Sequence, residues 1–252
     1  MTKKAWIITI GDEILLGKVI NWNAYWIAKR LSSVGVFVER IVCIPDDLIS
    51  IQNTIKECLE ASVDYVITTG GLGPTPGDIT LEGIANALGR KLKLDERALE
   101  FIKKRYEELR ELGLVSSDEI NPSRKKMAYI PEGGEVVYND VGVAPGVILK
   151  VGSTTIICLP GVPSEAMYLL EKIIPRVKTV RGLEIVEDYI DICDESHIAR
   201  CLENIRNIFP GISIKTYPIG YGQRNIRVIA VGKEKHEVMK ALTVLKECLG
   251  LL

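Results

Sequence analysis

The distribution of apolar and polar positions along this chain changes character twice. Ala5–Ile10 is an almost unbroken apolar run, the pattern of a strand buried on both faces in the middle of a parallel sheet. Positions 21 to 34 switch to helical spacing, with Ala24, Ile27, Ala28 and Leu31 on one face and Gly35 as the stop. Val36–Ile44 predicts a second strand and Leu48–Ala61 a helix, capped by Asp46 or Asp47. Val63–Thr69 predicts a third strand, followed by helices over Leu81–Leu88 and Asp95–Leu112. Val147–Lys150 and Thr154–Leu159, flanking Val151-Gly152-Ser153, form a hairpin pattern that puts an antiparallel component into the sheet. A helix follows over Pro163–Val177. Beyond Gly182 a new order begins: strand Leu183–Cys193, helix Ser196–Ile208, paired strands Ile212–Tyr217 and Ile226–Val231, helix Glu234–Leu249. The expectation is an α/β domain over residues 1–178 with a mostly parallel sheet, and a small two-layer α+β domain of β-α-β-β-α order over 183–252.

Three of the expected strands run into loops rich in small residues. The most pronounced is Thr69-Gly70-Gly71-Leu72-Gly73-Pro74-Thr75-Pro76-Gly77-Asp78. Glycines let backbone N–H groups approach an anion, and a helix N-terminus follows. The loop has neither the Lys of a Walker A motif nor the spacing of a dinucleotide fingerprint, and a plain capped turn is the alternative. Gly11-Asp12-Glu13 ends the first strand with two carboxylates, suited to metal or proton-transfer work or simply to a solvated cap. Pro160-Gly161-Val162-Pro163-Ser164-Glu165 ends the hairpin. In a parallel α/β sheet such loops converge at the carboxyl ends of the strands, where ligands bind. Arg124, Lys125 and Lys126 follow a break at Asn121-Pro122; they are either surface charges or groups that reach an anionic ligand. The loop Tyr217–Arg224 reads as an ordinary hairpin connection; the alternative is a contact with the first domain's ligand or with a second subunit.

Composition narrows the field by exclusion. The 252 residues are 47% hydrophobic and 26% charged with a net charge of -1, so nothing electrostatic favours nucleic acid or an anionic membrane. No apolar stretch reaches membrane-spanning length and the N-terminus lacks a signal h-region, which points to a cytoplasmic protein. The six cysteines include no C-x-x-C pair and most sit in apolar runs, which favours buried small hydrophobes over disulfides. Cys193, His197 and Cys201 share i, i+4, i+8 spacing, but Asp194-Glu195-Ser196 starts a helix and leaves Cys193 outside it, so zinc is disfavoured.

Taken together, Gly11–Gly17, Asn21–Ala24, Thr69–Thr75, Asn121–Pro131, Ala144-Pro145-Gly146 and Leu159–Glu165 resemble the N-terminal domain of the CinA family, in order and spacing, over residues 4 to about 178. The remainder resembles the small middle domain of CinA proteins. The C-terminal amidohydrolase domain of full-length CinA is not expected here, and its deamidase activity is not carried over. The resemblance implies the three-layer fold shared with the MogA, MoaB and MoeA molybdopterin proteins. It further implies an ADP-ribose pyrophosphatase dependent on a divalent metal (magnesium, manganese or cobalt). The alternatives are a molybdopterin-binding or adenylating protein and a non-catalytic nucleotide binder. By motif, Asp78, Asp47 (or Asp46) and Asp12 would be catalytic, and Asp78, Asp12 and Glu13 would hold the metal. Gly11, Glu13, Asn23, Thr69, Gly70, Gly71, Gly73, Thr75, Lys126, Pro160 and Gly161 would bind an adenylated or pterin ligand. CinA sequences usually carry two acids after Gly-Pro-Thr-Pro; here the first is Gly77, which weakens a metal site that needs both. Family resemblance also implies a homodimer or homotrimer.

Overall fold

The computed structural model describes residues 3–177, 183–192, 195–218, 220 and 225–251. The chain divides into a larger compact unit, Met1–Leu31 with Val36–Lys178, and a smaller one, Ser32–Gly35 with Thr179–Leu252. In order, the first unit contains β1 (Lys3–Ile10), α1 (Asp12–Leu15), α2 (Trp22–Ser33, apart from its last two residues), β2 (Val36–Ile44), α3 (Leu48–Glu60), β3 (Tyr65–Thr69) and α4 (Thr80–Leu88). It continues with β4 (Leu92–Leu94), α5 (Glu96–Glu111), α6 (Pro122–Lys126), β5 (Tyr129–Pro131), β6 (Glu135–Val137), β7 (Gly146–Val151), β8 (Thr154–Leu159) and α7 (Pro163–Ile173).

The main sheet has the order β2-β1-β3-β8-β7-β6. Its first four strands are mutually parallel, whereas β7 pairs antiparallel with β8 and β6 antiparallel with β7. The expected fold class, a three-layer α/β domain with an antiparallel hairpin, is the fold observed. Strand β1 explains why its run is apolar throughout: Ala5 to Ile10 are all buried, because both faces are covered. Trp6, Ile8 and Ile10 join one core with Ile51 and Ile55 of α3, Ile84 of α4, and Ala98, Leu99 and Ile102 of α5. Ala5 and Ile7 alternate to the other face, the side on which α2 buries Ala24, Ile27 and Leu31 and α7 buries Leu169, Leu170 and Ile173. Each fully buried Leu or Ile contributes roughly 1.5–3 kcal/mol of transfer free energy.

The sequence pattern missed the short pieces. Helices α1 and α6 and the strands β4, β5 and β6 are too short to show periodicity; β4 pairs antiparallel with β5 in a separate ribbon. The smaller unit contains β9 (Glu184–Ile190), α8 (Glu195–Ile208), β10 (Ser213–Pro218), β11 (Ile226–Gly232) and α9 (Lys235–Cys248). Its antiparallel sheet, β10-β11-β9, presents Ile190, Ile226, Val228 and Ala230 to Ile198 and Ile205 of α8 and to Val238, Leu242 and Leu245 of α9. The β-α-β-β-α order is as expected.

One expectation is overturned. Cys201 and Cys248 form a disulfide across 47 residues, joining α8 to the end of α9. Apolar surroundings and the absence of a C-x-x-C pair had favoured free thiols; the pair is distant in sequence and meets only because the two helices pack on one sheet. Cys58 and Cys158 do behave as buried hydrophobes, and burial pushes each thiol up to about 12. Cys201 is thereby removed from any zinc set, and Cys193 lies outside the described residues, as does most of the loop Tyr217–Arg224. Among the described residues no helix is long and apolar enough to cross a membrane.

Candidate ligand cleft

The three glycine-containing loops do converge. The ends of β1, β3 and β8 open on a cleft of about 540 Å³ lined by Gly11, Glu13, Asp46, Gly70, Gly71, Gly73, Thr75, Gly77, Asp78, Pro160, Gly161 and Glu165, with Tyr106, Met127 and the 142–144 loop. This is the crevice outside the carboxyl ends of parallel strands that open α/β sheets use for ligands.

The glycine loop is shaped by contacts that only glycine permits. Gly70 has φ +105, and a Cβ there would stand 2.1 Å from the Ile10 carbonyl oxygen. Gly71 has φ +64, with the Thr80 hydroxyl 2.3 Å from the Cβ position. Thr80 fastens the loop: its hydroxyl donates to the Gly70 carbonyl at 2.8 Å and its N–H to that of Gly71 at 3.2 Å. Among the described residues nothing accepts a hydrogen bond from the N–H groups of Gly71, Leu72 or Gly73. Gly71, Leu72 and Gly73 all line the cleft, and successive unused backbone N–H groups in a turn are a common basis of anion binding. Asp78 closes the turn: its Oδ2 accepts from the Thr75 N–H at 2.7 Å and the Thr75 hydroxyl at 2.6 Å. Neither Asp78 nor Thr80 caps the next helix; Ile79 occupies that position.

The acids sort into different duties. Asp47, expected to be catalytic, faces Ser50, whose N–H donates to its Oδ2 at 2.7 Å; it caps α3 and is absent from the cleft lining. That bond holds its carboxyl below the usual carboxylate range. Its neighbour Asp46 takes the cleft position instead. The Asp12 N–H donates to Asp46 Oδ2 at 3.0 Å, and the Asp46 N–H reaches Asp12 Oδ1 at 3.4 Å. Burial raises the Asp46 carboxyl pKa and the charges of Asp12, Glu13 and Asp78 raise it further, against the Asp12 N–H, which lowers it. Asp12 lies beside Asp46 but, unlike Glu13, is not part of the lining.

Three further candidates hold the loops rather than face the cleft. Asn23 Nδ2 donates to the Thr69 hydroxyl and to the Gly161 carbonyl, both at 2.8 Å. The buried Thr69 hydroxyl in turn donates to the Pro160 carbonyl at 2.9 Å. Lys126 Nζ donates to the Thr75 carbonyl at 2.6 Å, from the outer side of the glycine loop. Arg124 is engaged elsewhere, over the Tyr106 ring at 3.7 Å and on the Ser117 and Glu119 carbonyls. Glu165, Asn139 and Tyr106 belong to the cleft or its frame without having been singled out; Glu165 stood inside a quoted motif, but nothing in the pattern distinguished it. Among the described residues no group of three or more His, Cys, Asp or Glu side chains is arranged to hold a metal ion. The expected set of Asp78, Asp12 and Glu13 is not such a group, and Asp78 Oδ2 accepts two hydrogen bonds from Thr75.

Comparison with known proteins supplies a context for the cleft. Residues 6–179 match the model of a family described as "Probable molybdopterin binding domain". A protein of Pyrococcus horikoshii is 39% identical over 237 residues, 94% of this chain and 92% of its own length. One from Aeropyrum pernix is 39% identical over 256 residues, covering 95% and 91%. A solved structure, the CinA protein of unknown function from Thermoplasma acidophilum, is 40% identical with a TM-score of 0.64 and covers 70% of this chain and 99% of its own.

Proposed function

The chain belongs to the probable molybdopterin-binding domain family, and from that membership we propose that its cleft binds a phosphate-bearing pterin of the molybdopterin class and presents that phosphate for adenylation. The observation that carries the reading is the backbone cradle: free N–H groups at Gly71, Leu72 and Gly73 at the strand ends, within the matched region. In the reaction, a pterin phosphate oxygen attacks the α-phosphorus of ATP, the bond to the β-phosphate oxygen breaks, and pyrophosphate leaves. The cradle would hold the attacking phosphate. Asp46, half-buried and crowded by like charge, would take a proton from that phosphate. Asp78, Asp12 and Glu13 are candidates to contact a magnesium ion arriving with the nucleotide's own phosphates.

The family match favours this reading over ADP-ribose hydrolysis, which the sequence resemblance put first. The test is a pair of reactions on the purified protein. Incubation with magnesium ATP and molybdopterin is expected to release pyrophosphate and form an adenylated pterin. ADP-ribose with magnesium, manganese or cobalt is expected to stay intact. Formation of AMP and ribose 5-phosphate, with no pterin binding by calorimetry, would refute the proposal and restore the hydrolase. Sedimentation of the protein decides between the expected dimer and trimer.

A further inference from the structure

Glu165 lines the same cleft as the glycine loop and is built in with unusual care. It lies in the first turn of α7. The fully buried Asn139 directs Nδ2 to Glu165 Oε2 at 2.6 Å and to the Ala144 carbonyl at 2.9 Å. Gly142 closes over the carboxyl so tightly that a Cβ there would stand 2.1 Å from its Cδ and Oε2. Arg105 Nε holds that loop through the Gly142 carbonyl at 2.8 Å. Burial raises the carboxyl's pKa, and only the Asn139 amide and the more distant Arg105 charge oppose it. Among the described residues no cation forms an ion pair with it. A carboxylate taken partly out of water, fixed on one oxygen and left with spare lone pairs, is an acceptor awaiting donors.

We propose that Glu165 is the specificity-determining residue of the cleft, accepting two parallel N–H bonds from a 2-amino-4-oxopyrimidine edge such as that of a pterin. This rests on the pterin reading above. Such an edge presents a ring N–H beside an exocyclic amine, spaced for the two oxygens of a carboxylate in the way a guanidinium is. Adenine offers a donor beside an acceptor and cannot make the pair. The ring class is therefore pterin or guanine, and an adenine moiety brought by a co-substrate is held elsewhere.

The test compares two ligands that differ at one atom: the phosphate esters of 6-hydroxymethylpterin and of its lumazine counterpart, which carries oxygen in place of the 2-amino group. Fluorescence titration of the wild type is expected to show roughly 10- to 100-fold tighter binding of the pterin. Glu165→Gln, which keeps an acceptor for Asn139, offers a donor to the lumazine oxygen and is expected to abolish or invert the preference. Equal displacement of ligand by inorganic phosphate from both proteins checks that the glycine loop is intact in the variant. A wild type that binds both esters equally, or a variant that keeps the pterin preference, overturns the role of Glu165 while leaving pterin binding standing. Failure of the wild type to bind either ester overturns both.

Discussion

Breaking the Cys201–Cys248 bond offers a test whose size follows from the structure. The bond closes a loop of 47 residues. Closing a loop of that length removes about 14 cal/mol/K from the unfolded chain, or about 4 kcal/mol at 25 °C. The loss matters because the smaller unit has a limited core, three strands and two helices built around residues such as Ile198, Val228 and Leu242. The variant of choice replaces both cysteines by alanine, since serine at the buried position 201 would add an unpaired hydroxyl. Guanidinium unfolding followed by far-UV circular dichroism should show about 2–4 kcal/mol less stability than the oxidised wild type, and wild type reduced with a phosphine should match the variant. The m-value should rise, because an uncrosslinked unfolded chain exposes more surface. Tryptophan fluorescence reports the larger unit alone, as Trp6, Trp22 and Trp26 all lie there. If oxidised, reduced and double-alanine proteins unfold within about 0.5 kcal/mol of one another, the reasoning that the bond staples a thin core is wrong.

Other expectations are simpler to check. Gly70→Ala sets a methyl 2.1 Å from the Ile10 carbonyl at a left-handed φ; it should cost about 2 kcal/mol or more and lose phosphate binding, whereas wild-type Tm and affinity would disprove the close approach. Asp47→Ala should lower Tm without changing ligand affinity, and Asp46→Asn should do the reverse; a calorimetric titration with both effects on one residue would undo the division of labour. Because the Glu165 carboxyl is raised in the folded protein, its ionisation opposes folding. The stability cost is absent below the ordinary glutamate pKa and grows as pH rises above it. Glu165→Gln should therefore gain stability over wild type with rising pH, and a constant difference between pH 4 and 8 would contradict the burial argument.

Much of this was legible in the chain. A nearly unbroken apolar run located β1, short apolar runs located β3 and the hairpin containing β8, and the order of strands and helices gave the sheet class, because burial on both faces leaves its mark along a strand. The small-residue loops after those strands announced the cleft. Partners that depend on tertiary meeting were not legible. Asp46 and Asp47 are adjacent, and only the direction of the chain leaving β2 decides that one caps α3 and the other turns to the cleft. Asn23, Thr69 and Lys126 have the chemistry of ligand-binding residues, yet their polar atoms hold neighbouring loops together. Glu165 needed Asn139 and Gly142, from a loop more than twenty residues away, to become distinctive. The disulfide needed the packing of α8 on α9.

The cradle of Gly71, Leu72 and Gly73 has one consequence that its composition dictates. Backbone amides neither gain nor lose a proton in the range where proteins are folded, and no Lys, Arg or His of the described residues lines the cleft beside them. The grip on an anion is therefore set by fixed dipoles, and its intrinsic strength is the same in mild acid as in mild base. Any bend in a plot of ligand affinity against pH then belongs to the ligand's own phosphate or to carboxylates of the cleft, Asp46 and Glu165 among them. Removing those carboxylates one at a time assigns each inflection to its owner, because the loop itself contributes a flat line.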